Sequence, residues 1–310
     1  MFKQSYNRAV FQVRLETVTP LLIRAGDAGL TPAAADLACV RTHHGRHGST
    51  VYIPGSSLKG VLRSAAEASV RGRKFIGNTK GACDPLDTKS SCGGTRSDES
   101  KPASHVVHRT HCLACRLFGS LKMKGRAGIR DLFPWTEKSE ATPTLMAGGE
   151  NHVSANRIEL RQGVSINRIS GSVENGPFDQ EMVPAGVSFF GDIALENFQI
   201  WQIGLLAQAF DEVNEGFAQL GSSKSRGLGV ARISVAAILH EQPAHAARFP
   251  VGTGLLVSEQ ERQDYGLLPD YQLPDSEGVV RGLSRRFTIV EEPKINEWLS
   301  KGLAALGSLQ

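Results

Sequence analysis

The order of the segments with regular hydrophobic spacing constrains the fold of this chain more than any other feature. Alternating apolar residues predict strands over residues 11–18, 187–195 and 230–238. Apolar residues three and four positions apart predict helices after Pro54 and over residues 203–217. The order strand, helix, strands, helix, strand is typical of an α+β, ferredoxin-like fold, in which helices pack on one face of an antiparallel sheet.

The first predicted helix begins within the segment Ile-Pro-Gly-Ser-Ser-Leu-Lys-Gly at residues 53–60, where Ser56 or Ser57 can cap it. Free N–H groups and the positive end of the helix dipole favour an anion at such a position. Lys59 lies one turn in and Arg63 one turn further, so both cations can follow one polyanion. A solvated helix face with an Arg63–Glu67 ion pair is the alternative interpretation.

A glycine-rich loop, Gly-Ser-Ser-Lys-Ser-Arg-Gly-Leu-Gly, occupies residues 221–229. Glycines such as Gly221 and Gly227 let successive backbone N–H groups face an anion, and Lys224 and Arg226 add positive charge. Such a loop suits a phosphodiester backbone. It is not a P-loop, because the Gly-x4-Gly-Lys-Ser/Thr pattern is absent from the chain. A helix C-terminus followed by a flexible turn is the alternative interpretation.

Positive charge is concentrated in the first part of the chain. Residues 1–130 carry 21 Lys and Arg against 8 Asp and Glu, whereas residues 131–310 carry 14 against 23. A basic half of this kind favours a polyanionic partner. No hydrophobic run approaches a membrane span of about 18 residues, and residues 1–10 contain no secretory apolar stretch. We therefore expect a cytoplasmic protein with no membrane partner.

A polar segment, residues 78–110, is too long for an ordinary connection and has almost no large apolar side chain; two cysteines lie within it and two follow it directly. Cytosolic thiols stay reduced, which favours a metal site over disulfides. A Cys-x-x-Cys pair is typical of thiolates that share one tetrahedral zinc ion, and zinc would order a segment without a core of its own. Unrelated free thiols or a redox pair are the alternatives. The predicted ligands are Cys83, Cys92, Cys112 and Cys115.

Three histidines close to these cysteines can replace one of them as a ligand: His105, His108 and His111. Cys39 lies outside the group, and we expect it to be a small buried apolar residue.

Candidate catalytic residues are two aspartates, Asp27 and Asp36, in the Gly- and Ala-rich loop after the first strand. A lone loop aspartate is usually a turn or cap residue, so spacing alone does not make either catalytic. Histidines are available nearby at His43, His44 and His47. Aromatic residues make up 6% of the chain, so base stacking would depend on a few side chains such as Tyr52, Phe118 or Phe178.

Together these segments resemble the RAMP (repeat-associated mysterious protein) superfamily, and within it the backbone subunits of type III CRISPR effector complexes. The segment at residues 53–60 and the loop at 221–229 are the most specific pair. Supporting matches appear in family order at residues 15–27, 35–40, 115–120 and 128–131. The chain departs from the family pattern at Leu22, where a His is common, and at Arg24, where a Gly is common.

The resemblance implies a modified RNA-recognition-motif core over residues 1–240. It further implies a zinc-knuckle insertion at 78–116 and a β-hairpin thumb at 164–186 that kinks the duplex between guide and target. Residues 241–310 would then be a C-terminal extension packed on that core.

The resemblance also implies an activity and partners. Asp36 matches a loop aspartate that cleaves target RNA with Mg²⁺ or Mn²⁺. The partners would be guide RNA (crRNA), complementary target RNA, further copies of the chain and other effector subunits. The implied guide contacts are Ser56, Ser57, Lys59, Arg63, Arg168, Gly221, Lys224, Arg226 and Gly227.

Two alternatives remain open at this point. One is a catalytically inactive guide-binding scaffold whose nuclease is another subunit. The other is an endoribonuclease that processes precursor guide RNA without metal, with a base among His43, His44 and His47.

Overall fold

The computed structural model describes residues 4–26, 35–94, 102–136 and 149–310. The strands are β1 (Arg8–Thr17), β2 (Arg41–His44), β3 (Gly48–Val51), β4 (Gly119–Ser120), β5 (Met123–Lys124), β6 (Ala127–Ile129), β7 (Glu159–Ile166), β8 (Val173–Met182), β9 (Ser188–Glu196), β10 (Ala231–Pro243), β11 (Gly278–Arg281) and β12 (Ser284–Ile289). The helices are α1 (Gly55–Val70), α2 (Ser104–Thr110), α3 (Leu113–Phe118), α4 (Gly149–Asn156), α5 (Ile200–Asn214), α6 (Glu259–Tyr265) and α7 (Glu292–Gly307).

Six of the described strands form one antiparallel sheet in the order β11–β12–β10–β1–β9–β6. The part β10–β1–β9–β6 has the strand order of a ferredoxin-like fold, with the first strand between the third and the last. Alternation along β1 decides which face is buried, because Phe11, Val13 and Leu15 are at most 1% exposed. The predicted α+β fold class is confirmed.

α1 and α5 cover the buried face of this sheet. Leu58 and Leu62 of α1 and Trp201 and Leu206 of α5 are all at most 1% exposed. The predicted end of the second helix is wrong, since α5 stops at Asn214 and the predicted stripe residue Phe217 is 77% exposed. The chain turns away at Gly216, whose φ of 81° is unfavourable for other residues.

The predicted serine cap of α1 is also wrong. α1 begins earlier than expected, with Pro54 as its N-cap and no capping side chain from Ser56 or Ser57. The first N–H, that of Gly55, instead donates to Asp131 Oδ1 at 2.8 Å. A carboxylate that is distant in the sequence, two residues beyond the end of β6, therefore makes the bond expected of a local serine.

The tail beyond residue 240 adds β11, β12, α6 and α7 to the core. β10 continues to Pro243, so residue 240 lies inside a strand, and β12 pairs with β10 while β11 pairs with β12. α7 packs on α5 where Gly204 meets Gly302, and a Cβ on either glycine would collide with the other backbone. The tail thus extends both the sheet and the helical layer. The two added strands escaped prediction because they are short and few of their side chains are buried, so little apolar alternation marks them.

β7 and β8 form a separate two-stranded hairpin over Glu159–Met182, which begins before the predicted range of 164–186. Much of β7 is exposed on both faces, so its sequence has no buried side to mark the start. Across the described residues, no helix combines the length and apolarity needed to cross a bilayer.

Candidate nucleic-acid interface and metal site

Several predicted binding segments converge at one end of the main sheet. β1 ends opposite the start of β10, where Thr17 pairs with Ala231, and beside the start of β9. The glycine-rich loop precedes β10 and the β7–β8 hairpin precedes β9, so both reach the sheet at this end. α1 starts here too, because Ile53 pairs with Leu132 just beyond β6. Residues far apart in the sequence are therefore brought to one surface.

The glycine-rich loop is fixed at its two ends. Gly221 and Gly229 have φ values of 74° and 82°, and a Cβ at these positions would collide with the carbonyl oxygens of Leu22 and Leu220. The Ser222 N–H donates to the Leu22 carbonyl at 2.8 Å. These two glycines are needed for close backbone packing against the segment that follows β1.

The middle of the same loop is open. Ser223 and Gly227 have left-handed backbone conformations, with φ of 58° and 84°, and a Cβ at Gly227 would meet nothing within 4 Å. Lys224 and Arg226 between them are exposed, and neither forms an ion pair with a described residue. Their charges are available to an anion from solvent.

The start of α1 presents two serines. Gly55 lies so close to the carbonyl of Ile129 that a Cβ would collide with it, which brings the helix N-terminus against the end of β6. Ser56 is exposed and Ser57 half-exposed. Within the described structure, neither hydroxyl has a hydrogen-bond partner, so both can donate to a phosphate oxygen.

Lys59 and Arg63, the two cations of α1, face different surroundings. The Lys59 Nζ donates to the carbonyl of Ala127 at 3.3 Å, and burial together with the nearby Arg63 lowers the pKa of its ammonium group. Arg63 Nε donates to Glu67 Oε1 at 2.7 Å and its Nη2 to Cys115 Sγ at 3.5 Å. The Arg63–Glu67 ion pair is therefore present, and the guanidinium is also held against the cysteines.

Asp36 lies on the side of the hairpin strand β8. Its Oδ2 accepts the N–H of Asp179 at 3.0 Å, and the next residue, Leu37, bridges Gln180 in parallel. The carboxylate is exposed. The other loop candidate, Asp27, lies outside the described residues.

The tip of the hairpin is a turn stabilised by Asn167, whose Oδ1 accepts the N–H groups of Ile169 and Ser170 at 2.9 and 3.1 Å. Arg168 is exposed there and forms no ion pair with a described residue. Ile169 is 99% exposed. The tip thus presents one cation beside one apolar side chain.

The four predicted cysteine ligands form a compact group. Their sulfur atoms all lie within 4.8 Å of one another, and Cys83 Sγ is 3.7 Å from Cys115 Sγ. A tetrahedral zinc with Zn–S bonds of about 2.3 Å requires sulfurs about 3.8 Å apart. The cysteines are free thiols, and all but the half-buried Cys92 are buried. The residues therefore fit one four-coordinate metal ion such as zinc.

Electrostatics at this group also suit a cation. Hydrogen bonds from the Cys112 and Cys115 thiols lower the pKa of the Cys92 thiol to about 4. Hydrogen bonds with Cys112 and Cys92 raise the pKa of Cys115. One thiolate therefore forms readily, and its negative charge disfavours ionisation of a second thiol. A divalent cation bound between the sulfurs relieves this repulsion.

The three nearby histidines bond elsewhere. His108 Nδ1 lies 2.8 Å from the carbonyl oxygen of Tyr265, and His111 Nε2 lies 2.8 Å from Ser120 Oγ. His105 packs against the Tyr265 ring. Within the described residues, the cysteines alone form a group of three or more close metal ligands.

The sequence model of the RAMP superfamily matches residues 14–232. The chain belongs to the RAMP superfamily. A chain of a solved Type IV-B CRISPR complex is similar in structure to this RAMP protein, with 19% identity and a TM-score of 0.47; the match covers 78% of this chain and 93% of that chain. No curated protein sequence matches this RAMP protein. The family match ends at the start of β10 and leaves β11, β12 and α7 outside it.

Sequence reasoning missed two features of this RAMP protein. Asp131, which binds the first N–H of α1, is 76 positions away from it and belongs to no pattern that links the two. Trp135 contacts the rings of His44 and His47, and only the local richness in histidine hinted at that site. Conversely, the predicted stacking residue Phe118 is 3% exposed and not available to a base.

Proposed function

We propose that this RAMP protein is a backbone subunit of a CRISPR ribonucleoprotein that binds guide RNA through its phosphates and oligomerises along it. One observation carries the proposal: the open part of the glycine-rich loop, the start of α1 and the β7–β8 hairpin meet at one end of the sheet. A surface that presents exposed cations and unpartnered hydroxyls matches a phosphodiester chain without reading its bases.

Each segment has a role in this proposal. Lys224, Arg226 and the backbone at Gly227 contact guide phosphates, and Ser56 and Ser57 add hydroxyl donors at the helix N-terminus. The remaining predicted contacts, Lys59, Arg63, Arg168 and Gly221, lie at the edges of this surface or support it.

Target cleavage by Asp36 is the finer part of the proposal. The exposed carboxylate would orient a ribose 2′-OH, or hold Mg²⁺ or Mn²⁺, for in-line attack on the adjacent phosphate. The bond from the Asp179 N–H fixes the carboxylate against the hairpin, so that a duplex kinked by the hairpin would present its distorted step to it. Magnesium is commonly held by one or two carboxylates together with substrate phosphates, so one aspartate is compatible with metal-assisted cleavage.

A second candidate is the inactive scaffold, and one observation favours it. Within the described residues, Asp36 belongs to no group of three close metal ligands. The precursor-processing alternative depends on His43, His44 or His47, and two of these pack against Trp135 rather than standing free.

RNA binding is tested with a double variant, Lys224→Ala with Arg226→Ala. We expect weaker RNA binding. The slope of log K against log salt concentration should become shallower by about 0.7 for each phosphate contact that is lost. The matched control replaces Lys301 and Arg281 with alanine, since both are exposed and Arg281 lies at the opposite end of the sheet. Equal losses in the two double variants would contradict the assignment of the surface.

Cleavage is tested with the protein assembled on guide RNA and a labelled complementary RNA, with Mg²⁺ or Mn²⁺ and with EDTA. We expect Asp36→Ala to abolish metal-dependent cleavage and the exposed control Asp275→Ala to retain it. Intact guide binding without cleavage by the wild type would select the scaffold. Cleavage of precursor guide RNA in EDTA would select the processing enzyme.

The four cysteines would hold a structural zinc ion. The segment around Cys83 and Cys92 has little apolar packing of its own, and bound zinc would neutralise the thiolates and tie this segment to α3. We expect about one equivalent of zinc per chain in elemental analysis of reduced protein. Less than a tenth of an equivalent would refute the site.

A further inference from the structure

A group of contacting rings lies outside the segments used above. The ring centroid of Trp135 lies 4.2 Å from that of His47, 4.8 Å from that of His44 and 5.0 Å from that of Phe133. His152 lies 5.3 Å from Trp135 and 5.3 Å from His47. We name this set the ring cluster; its members are His44, His47, Tyr52, Phe133, Trp135 and His152.

The ring cluster faces away from the main core. Ile53 and Leu132 pair with each other and are fully buried. Tyr52 and Phe133, their chain neighbours, point to the other side because side chains alternate along extended backbone. Their rings stack at 5.9 Å with an angle of 18° between the planes, and both are half-exposed. The cluster is therefore a surface feature and not an outgrowth of the core.

The backbone beneath the rings is held by bonds that do not involve them. On α4, the Asn156 Oδ1 accepts the N–H of Val51, and the Asn151 Oδ1 accepts the N–H of Ser188 at 3.0 Å. These amides fix the helix that carries His152 to β3 and to the start of β9. The rings are thus pre-positioned, and losing an exposed one should leave the scaffold in place.

Exposure within the cluster is graded. Trp135 is 9% exposed and forms its floor, whereas His47 is exposed and His44 half-exposed above it. The hairpin that carries these histidines, Arg41–Val51, has two arginines and no carboxylate in its sequence, and Arg41 pairs with Glu181 of β8 at 2.9 Å. A flat, partly exposed ring surface of this kind is suited to a flat ligand that stacks on it.

A metal site is a poor explanation for the three imidazoles. Within the described residues, the ring nitrogens of His44, His47 and His152 do not form a group with mutual distances under 4.8 Å. An apolar peptide also fits poorly, because the cluster contains no aliphatic side chain.

We propose that the ring cluster is a stacking platform for unpaired nucleobases of RNA. Every base has a π face, so aromatic and imidazole rings bind single strands with little sequence preference. The platform lies beside Ser188 and Leu132. This is the end of the sheet where the glycine-rich loop and the start of α1 form the proposed contacts with phosphates. The proposal rests on the proposed RNA-binding function, and it adds a base-dependent component to contacts that otherwise involve phosphates alone.

The test compares two fluorescent probes in a binding titration: a 12-nucleotide single-stranded RNA and an abasic ribose-phosphate oligomer of equal length. We expect the wild type to bind the RNA about tenfold more tightly than the abasic oligomer. We expect His47→Ala and Tyr52→Leu to lose most of this difference while the salt dependence stays unchanged. The matched control is His43→Ala, an exposed neighbour of His44 outside the cluster.

The possible failures are distinct. If Lys224→Ala with Arg226→Ala weakens binding of both probes while His47→Ala and Tyr52→Leu behave like the wild type, the platform is refuted and the RNA-binding function stands. If the wild type binds neither probe, both proposals fail. If His47→Ala changes the sedimentation of the free protein but not its RNA affinity, the cluster is a protein contact and the proposal is overturned. Thermal unfolding of each variant checks that it folds.

Discussion

The buried His240 should lower the free energy of unfolding in acid, and one substitution at this position can isolate its contribution. Its imidazole is fully buried on β10, with ring centroids 5.8 Å from Phe198, 5.7 Å from Phe287 and 5.7 Å from Trp298. Burial lowers the pKa of His240 from 6.5 to about 4, although a hydrogen bond of 3.0 Å with Gln242 opposes the shift. The side chain is therefore neutral in the folded protein at physiological pH.

The sign and size follow from proton linkage. Between pH 6.5 and 4 the unfolded chain binds a proton at His240 that the folded chain excludes, so acid favours unfolding. The contribution of the neutral His240 to the free energy of unfolding is fully present above pH 6.5 and is lost as the pH falls towards 4. The shift corresponds to about 3 kcal/mol in all, of which about 2 kcal/mol is lost between pH 7.5 and pH 5.

The perturbation is His240→Leu. Gln242 Oε1 keeps a partner in this variant, because it also accepts the N–H of Val251 at 3.0 Å. The variant has a pH-independent packing change, but it lacks the titrating imidazole. The free energy of unfolding of the variant minus that of the wild type should therefore increase by about 2 kcal/mol when the pH is lowered from 7.5 to 5.

A difference measurement is needed because another buried group titrates in the opposite sense. Burial raises the pKa of Asp270 to about 7, so its contribution to stability is largest at low pH and is lost as the pH rises. Asp270 is present in both proteins and cancels in the comparison. The assay is urea unfolding followed by circular dichroism at the two pH values. A stability difference that stays constant between them would refute the reasoning.

Two further predictions concern the metal site and the glycine-rich loop. Arg63→Ala removes the guanidinium that contacts Cys115 and should weaken zinc binding about 10- to 100-fold, because outer-shell partners orient metal ligands. A chelator competition measures the zinc affinity. Unchanged zinc affinity with only weaker RNA binding would contradict this role of Arg63. Gly229→Ala should lower the free energy of unfolding by clearly more than Gly227→Ala. Both positions have a positive φ, which costs alanine about 1–2 kcal/mol, but only at position 229 would the added Cβ also collide with the Leu220 carbonyl. Equal losses in urea unfolding would contradict the close packing at Gly229.

The elements of the core could be predicted from the sequence because their signals are local. The alternation around Phe11 and the stripe of Leu58 and Leu62 each depend on neighbours within a few positions, and each burial pattern agrees with the spacing. The four cysteines were also found from spacing alone, since a polar segment without apolar side chains needs another source of order.

The features that could not be predicted depend on partners distant in the sequence. The bond from Gly55 to Asp131 and the contact of His47 with Trp135 join positions 76 and 88 residues apart, and no periodicity links them. Arg63 stood at the right helical spacing for a phosphate contact, yet its guanidinium also reaches Cys115 on α3. Spacing along one helix cannot report which side chain of another element fills the space beside it.

The two outer strands of the main sheet limit how copies of this chain can associate. β11 has four residues and β6 has three, so each outer edge exposes a very short row of unpaired N–H and C=O groups. Short edge strands resist the addition of a strand from another molecule. The longer open edges belong to the β7–β8 hairpin, whose strands have eight and ten residues, so a strand from another molecule would find more backbone to pair with there than on the main sheet.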